Sequence, residues 1–289
     1  VPHTAQNSRT AYVNGHMVPL ETAKISAQDR GFMFGDGIYE VTAVAGGKLI
    51  DYQNHAARLA RSLAAIDLAC PVSDIELLQI HRELVTANHL NEGLIYLQIT
   101  RGAADRDFGF PANAQPTLVM FTQAKNVLDN PAAKVGIKVI STPDLRWKRC
   151  DIKSVSLLAQ VLAKQEAVKA GAQEAWMVAD GFITEGSAST AYIIKSGEII
   201  TTPKTSAILP GVTRQALLHL VANTGLKLTE RPFTLAEAYS ADEAFITAAT
   251  NFVMPVVSID SHTIGTGTPG PQALKLRAIY IEFALKTAL

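Results

Sequence analysis

Cysteine is nearly missing from this chain of 289 residues: Cys70 and Cys150 are the only two. Two cysteines in a chain this long make neither a disulfide framework nor a cysteine-rich zinc site. A charge excess is missing too, since 26 Lys and Arg balance 26 Asp and Glu. That balance removes any general pull toward nucleic acid or an acidic membrane, and no basic run interleaved with aromatics replaces it. No uninterrupted apolar run approaches the ~20 residues of a membrane span. The opening "VPHTAQNSRT" has no apolar core of a secretory signal. Neither an internal repeat nor a low-complexity block is visible. The expectation is a cytoplasmic chain that handles small molecules, with no nucleic-acid or membrane partner.

What is present is apolar material, 48% of the residues, enough for a sizeable core in one large domain or two modest ones. "AYVNGHMVPL" has the form of a hairpin turning at Asn14-Gly15, and "YEVTAVAGGKLI" repeats it at Gly46-Gly47. Residues 52–68 read as a helix with Ala56, Leu59, Leu63 and Ile66 on one face and basic residues on the other. A second helix opens at Ser73, with Glu76 completing a capping box. "GLIYLQITRG" and "PTLVMFTQA" follow as strands. Beyond the connection "NVLDNPAAK", a strand in "KVGIKVIST" precedes a helix over 154–170, a Gly-turned strand meander, a helix over 213–223, two further strands and a terminal helix over 271–286. The pattern is α+β, with a smaller N-terminal domain over 1–126 and a larger strand-rich domain with helices over 131–289.

Several short stretches carry chemistry-bearing residues. In "RCDIKSVSLLAQ", Lys153 stands just before an apolar run, where a solvated charge and a positioned amine are both open readings. In "ILPGVTRQALLHLV", the free amides of Val212 and Thr213 open a helix and, with the Thr213 hydroxyl, suit a phosphate as well as a plain cap. "FITEGSAST" places Glu185 beside Gly186 and small hydroxyls, either as a polar turn or as a carboxylate facing a cation. Arg58 is a surface charge or a forked grip on phosphate. "ITRGAADRDFGF" is a charged loop of the kind that carries substrate contacts. An amine, a carboxylate, a helix N-terminus and an arginine together are what pyridoxal 5'-phosphate needs.

The chain resembles the fold-type IV pyridoxal-phosphate aminotransferases, most closely those acting on D-amino acids. The resemblance rests on "DRGFMFGDGIYEV" (29–41), "RCDIKSVSLLAQVLAKQEA" (149–167), "TEGSAST" (184–190) and "LPGVTR" (209–214). It implies a two-domain α+β fold and the cofactor pyridoxal 5'-phosphate, carried on Lys153, which also shuttles the substrate proton. It implies that Glu185 pairs with the ring nitrogen, and that Arg58, Val212 and Thr213 anchor the phosphate. Tyr39 matches a tyrosine beside the substrate, and Arg106 an arginine that reaches the substrate carboxylate across a homodimer interface.

Two positions depart from the family pattern. Phe108 stands where D-amino acid members commonly have histidine, and Ala249 where the second phosphate loop usually offers a hydroxyl, leaving the Ala249 amide and a displaced hydroxyl from Thr250. The expected reaction is transamination of D-amino acids with pyruvate or 2-oxoglutarate as acceptor. An (R)-selective amine transaminase is the nearest alternative, followed by a branched-chain aminotransferase and aminodeoxychorismate lyase. A catalytically silent binder of the cofactor is disfavoured by the joint presence of Lys153 and Glu185.

Overall fold

The structure, a computed structural model, describes residues 9–221 and 224–289. The polar tail over 1–8 and the last two residues of the helix expected over 213–223 lie outside the described residues. The chain forms two compact units, one of Val1–Asn126, Ile152–Ser156 and Ala288–Leu289, the other of Val127–Asp151 and Leu157–Thr287.

The first unit is built on an antiparallel six-stranded sheet in the order β2-β1-β6-β5-β3-β4. Its strands are β1 (Thr10–Val13), β2 (His16–Pro19), β3 (Gly37–Ala45), β4 (Lys48–Leu49), β5 (Glu92–Thr100) and β6 (Thr117–Ala124). Asn14 and Gly15 take positive φ (46° and 93°), the backbone that a two-residue hairpin between twisted strands requires. Among the described residues, the α-helices of this unit are α1 (Arg30–Phe34), α2 (Tyr52–Ala64) and α3 (Asp74–Ala87). Ser73 and Glu76 form the expected capping box at α3. Leu59 and Leu63 of α2 and Leu77, Ile80 and Leu84 of α3 pack on Ile38, Ile95, Leu97 and Met120 of the sheet. Each such side chain contributes about 1.5–3 kcal/mol on burial.

The second unit holds a nine-stranded mixed sheet in the order β12-β11-β10-β13-β14-β7-β8-β9, with β15 paired to β14. Its strands are β7 (Ile137–Pro143), β8 (Glu174–Ala179), β9 (Phe182–Gly186), β10 (Thr190–Lys195), β11 (Glu198–Thr201), β12 (Lys227–Glu230), β13 (Glu243–Ala248), β14 (Phe252–Ile259) and β15 (His262–Thr263). Around it run α4 (Ala132–Val135), α5 (Leu158–Lys169), α6 (Val212–Val221), α7 (Leu235–Tyr239) and α8 (Pro271–Thr287). Trp176, Phe233, Ile246 and Met254 lie in its core.

Two local expectations are corrected. The helix expected over 154–170 begins only at Leu158. The residues before it are drawn into strand-like pairing with β3, where Val155 N donates to Gly37 O (3.0 Å) and Tyr39 N to Lys153 O (3.0 Å). A residue so paired cannot also close a helical turn. The second correction concerns α2, whose basic residues do not all lie opposite its apolar face: Arg58 is buried beside Leu59.

Candidate active site

The Lys153 backbone is fixed from two sides of the first unit. Its carbonyl accepts from Tyr39 N, and its own N–H donates to the buried Ser62 Oγ at 3.3 Å. From that anchor Nζ lies 4.1 Å from the centroid of the Tyr39 ring. A cation at that distance is held by the ring face while its N–H groups stay available. Tyr39 is itself supported by stacking on Tyr96, which stacks in turn on Phe121.

One residue beyond Tyr39, Glu40 points to the other face of β3 and is buried. Arg58 donates to it from Nε and Nη2, both at 2.8 Å, and His55 Nδ1 lies 2.7 Å from Oε2. Burial pushes the Glu40 carboxyl upward, but the charge and hydrogen bonds of Arg58, with those of His55, outweigh it and hold the group far below the ordinary carboxylate range. Arg58 is thus an oriented buried cation.

The N-terminal part of "DRGFMFGDG" holds the loop that leaves β5. Asp29 caps α1 by accepting from Gly31 N (2.9 Å) and also accepts from Thr100 Oγ1 (3.0 Å). A Cβ on Gly31 would fall 2.2 Å from Thr100 Cγ2, so only glycine lets helix and strand approach this closely. Arg106 and Phe108 stand on that loop, both exposed.

In the second unit, Glu185 is buried at the end of β9. Its Oε1 accepts from Leu209 N at 3.0 Å and from Arg146 Nη1. Asp144 secures Arg146 through a fork, Nε to Oδ1 at 2.9 Å and Nη2 to Oδ2 at 2.7 Å, and Nη2 also donates to Ala207 O at 3.0 Å. Burial works against the Arg146 charge, yet its bonds to Asp144 and the nearby Glu185 charge raise its proton affinity overall. Just past Gly186, buried Glu174 gathers Ser187 N (3.2 Å), Ser187 Oγ and Ser189 Oγ (2.9 Å), which fixes the turn that follows the carboxylate.

The bond from Leu209 N ties Glu185 to the chain three residues ahead of α6. The first amides of this ten-residue helix have no acceptor within it. Thr213 Oγ1 is buried and has no hydrogen-bond partner among the described residues. Ala249 and Thr250 sit half-buried in the turn from β13 to β14. That turn is braced by Arg277 Nη1, which donates to Asn251 O and Val253 O, each at 2.8 Å.

The sequence matches the family described as Amino-transferase class IV over residues 37–259. The chain belongs to the class IV aminotransferases. It is 41% identical to a D-alanine aminotransferase of Bacillus licheniformis over 89% of this chain and 91% of that protein. A D-alanine aminotransferase of Listeria monocytogenes is 39% identical over 93% of this chain and 94% of its own length. A branched-chain aminotransferase of the archaeon Thermoproteus uzoniensis, solved with norvaline, superposes with a TM-score of 0.85 at 25% identity, covering 96% of this chain and 95% of that one. A second branched-chain amino acid aminotransferase, complexed with N-(5'-phosphopyridoxyl)-L-glutamate, superposes with a TM-score of 0.89 at 27% identity, again over 96% and 95%. The expected fold, two-domain α+β of fold type IV, holds, and the chain is a transaminase whose cofactor is pyridoxal 5'-phosphate.

The residues present fit that cofactor. A phosphorylated pyridine carbaldehyde needs an amine, an acid for its ring nitrogen and donors for its phosphate. The first unit supplies Lys153 and the oriented Arg58; the second supplies Glu185 and the α6 N-terminus, whose buried Thr213 hydroxyl has no hydrogen-bond partner among the described residues. Within the units, Lys153 is brought to Tyr39, Glu185 to the approach of α6, and Arg106 to Phe108. Sequence reasoning missed Glu40, His55, Ser62, Asp144 and Arg146, which hold those groups in place. Two signals were legible: a carboxylate at an inward position of an apolar strand, and His55 and Arg58 one turn apart on the α2 face that buries Leu59.

Proposed function

We propose that this enzyme transfers the amino group of D-amino acids, D-alanine foremost, to a 2-oxo acid such as pyruvate or 2-oxoglutarate. The observation that carries the reading is Arg106: the residue is exposed, and no hydrogen bond or ion pair engages it among the described residues. A donor carboxylate needs such a cation. The names and high coverage of the relatives agree with this.

In this reading Lys153 holds the cofactor and, once the donor's amine has displaced it, its free Nζ would move the proton between the donor Cα and the cofactor's carbaldehyde carbon, two bonds away across the nitrogen. The Tyr39 face keeps the amine in reach of both positions. Glu185, tied to Leu209 N and Arg146, presents a fixed anion to the ring nitrogen. Arg58, the amides of Val212, Thr213 and Ala249, and the hydroxyls of Thr213 and Thr250 grip the phosphate. Bound pyridoxal 5'-phosphate supplies the electrophilic carbon and the ring that delocalises the Cα electron pair. Tyr39 lies beside the substrate, and Arg106, with Phe108 next to it, meets the substrate carboxylate across the homodimer interface.

A homodimer is part of the proposal. Phe32, Phe108 and Phe110 are exposed in the first unit, and Leu158, Val161 and Leu162 along α5 in the second. Exposed apolar side chains of this size fit burial against a second copy. Sedimentation at assay concentration tests it, and a fully active monomer would contradict it. Cytoplasmic placement is proposed as well: both cysteines are free, as in a reducing compartment, and cell fractionation checks it. No helix among the described residues is long and apolar enough to cross a membrane.

The second reading, an (R)-selective amine transaminase, is favoured by one observation, the exposed apolar ring of Phe108 beside Arg106. A donor panel separates the two. D-alanine and D-glutamate turning over with 2-oxoglutarate or pyruvate, and L-alanine not, supports the first reading; turnover of (R)-1-phenylethylamine alone supports the second.

A further inference from the structure

We propose that Phe34 and Phe108 form an aromatic bracket that orients the Arg106 guanidinium for a donor carboxylate, making Phe108 a specificity-determining positioning residue. The inference rests on the reading of Arg106 as the carboxylate-binding group. Arg106 Cζ lies 5.5 Å from the centroid of each ring, and the two rings are 5.4 Å apart and tilted by 43°. Both distances are within the range where a ring quadrupole attracts a guanidinium.

The chemistry of the contact suits a substrate subsite. An exposed arginine loses rotamer freedom when it clamps a carboxylate, and that loss weakens binding. A carboxylate from the protein itself would restrain the side chain but would compete with the substrate. Aromatic faces restrain it without occupying its N–H groups, so the forked donor edge stays open to an incoming anion. A phenylalanine at position 108 offers the substrate no side-chain hydrogen bond and retains order in the arginine.

The bracket is built on a rigid base. Arg30 is buried, donates from Nη1 to Asp107 O (2.6 Å) and from Nη2 to Phe108 O (3.4 Å), and lies 4.8 Å from the Phe34 ring centroid. One arginine therefore supports one ring and holds the backbone of the other. Asp36 fixes Arg30 through Nε at 2.8 Å, and Arg101 grips the same carboxylate from Nε (2.8 Å) and Nη2 (3.1 Å). Phe34 closes α1 just before Gly35, whose φ of 68° turns the chain toward Asp36.

Titration of the holoenzyme with sodium acetate, followed by calorimetry, tests the bracket apart from turnover. Phe108 is 77% exposed, so its replacement leaves the core intact. Acetate should bind wild type and lose its binding in Arg106→Ala. Phe108→Leu should weaken acetate about 2- to 5-fold, the worth of one exposed cation–π contact, and Phe108→Tyr should not. The double variant Phe34→Leu/Phe108→Leu should weaken it by about the product of two such factors. The KM for D-alanine should rise in the order of the acetate series, and in Arg106→Ala it should rise more than the KM for (R)-1-phenylethylamine, which has no carboxylate. Wild-type acetate affinity in Phe108→Leu, or an equal loss in Phe108→Tyr, would overturn the bracket. Wild type that binds acetate through Arg106 yet turns over only the amine would refute the D-amino acid reading and leave the bracket standing.

Discussion

Arg58 meets Glu40 through a complete fork, Nε to Oε1 and Nη2 to Oε2, each 2.8 Å, with both side chains buried. A buried guanidinium held this way cannot swing to a ligand; it presents whatever donor edge the carboxylate leaves it. Glu40→Gln keeps the shape but surrenders the charge. Leaving a buried arginine without its counter-ion costs about 3–5 kcal/mol. The variant should lose stability by up to that amount in denaturant unfolding, and its cofactor dissociation constant should rise about tenfold or more as Arg58 loosens. A cofactor affinity equal to wild type would show that Glu40 does not orient Arg58 for the phosphate.

Acid should destabilise the protein in two windows. His81 is buried with Nδ1 2.7 Å from Leu77 O, and burial lowers its pKa from 6.5 to about 4. Between those values the unfolded chain binds a proton that the folded chain refuses. Stability therefore falls as pH drops from 6.5 toward 4, by up to about 1.4 kcal/mol per pH unit. Glu40, whose folded pKa is depressed, contributes stability present above its unfolded value near 4.5, and this is lost as pH falls below it. Melting curves from pH 7 to 3.5 should show both, and His81→Gln should flatten only the upper window. A His81→Gln profile parallel to wild type throughout would remove His81 as the cause.

Lys153 and Glu185 should fail in different ways. Lys153→Ala should abolish transamination, and after borohydride treatment mass spectrometry should find no cofactor-sized adduct on the protein. Substantial turnover by this variant without an added amine would sink its role. Glu185→Gln should keep the adduct and the cofactor content but slow both half-reactions, since an amide supports a protonated ring nitrogen less well than an anion. Unchanged single-turnover rates would dismiss Glu185 as the ring partner.

These residues differ in how far the sequence exposes them. The "NG" and "GG" hairpins and the Ser73 box were legible because local backbone geometry demands those residues. Lys153, Glu185, Thr213 and Arg58 stood out through the wording of their motifs. The second layer did not: the match of Glu40 with Arg58 and of Arg146 with Glu185 spans 18 and 39 positions, and each pair looks like ordinary charge until the fold buries it. The α5 boundary was misjudged for a related reason. Val155 continues the apolar run of α5 backward, so the helix is expected from 154, yet the open edge of β3 claims the backbone of Ser154 and Val155, a tertiary demand that periodicity does not register.

Thr213 gives the sharpest test of the phosphate cup. Its hydroxyl is buried without a partner among the described residues, and such a group costs about 1–3 kcal/mol when nothing meets it. A bound phosphate would turn that cost into a charge-assisted hydrogen bond worth about 1.5–3 kcal/mol. Thr213→Val keeps the shape and deletes the hydroxyl, so its effect should differ in sign between the two states. The apoprotein should melt no lower than wild type, because an unsatisfied group has been removed. The holoenzyme should bind its cofactor about 10- to 100-fold more weakly, the factor those energies imply. Pyridoxal, which has no phosphate, should bind both proteins alike. A stability loss in the apoprotein would mean that the hydroxyl serves the fold, and an unchanged dissociation constant would place the phosphate elsewhere.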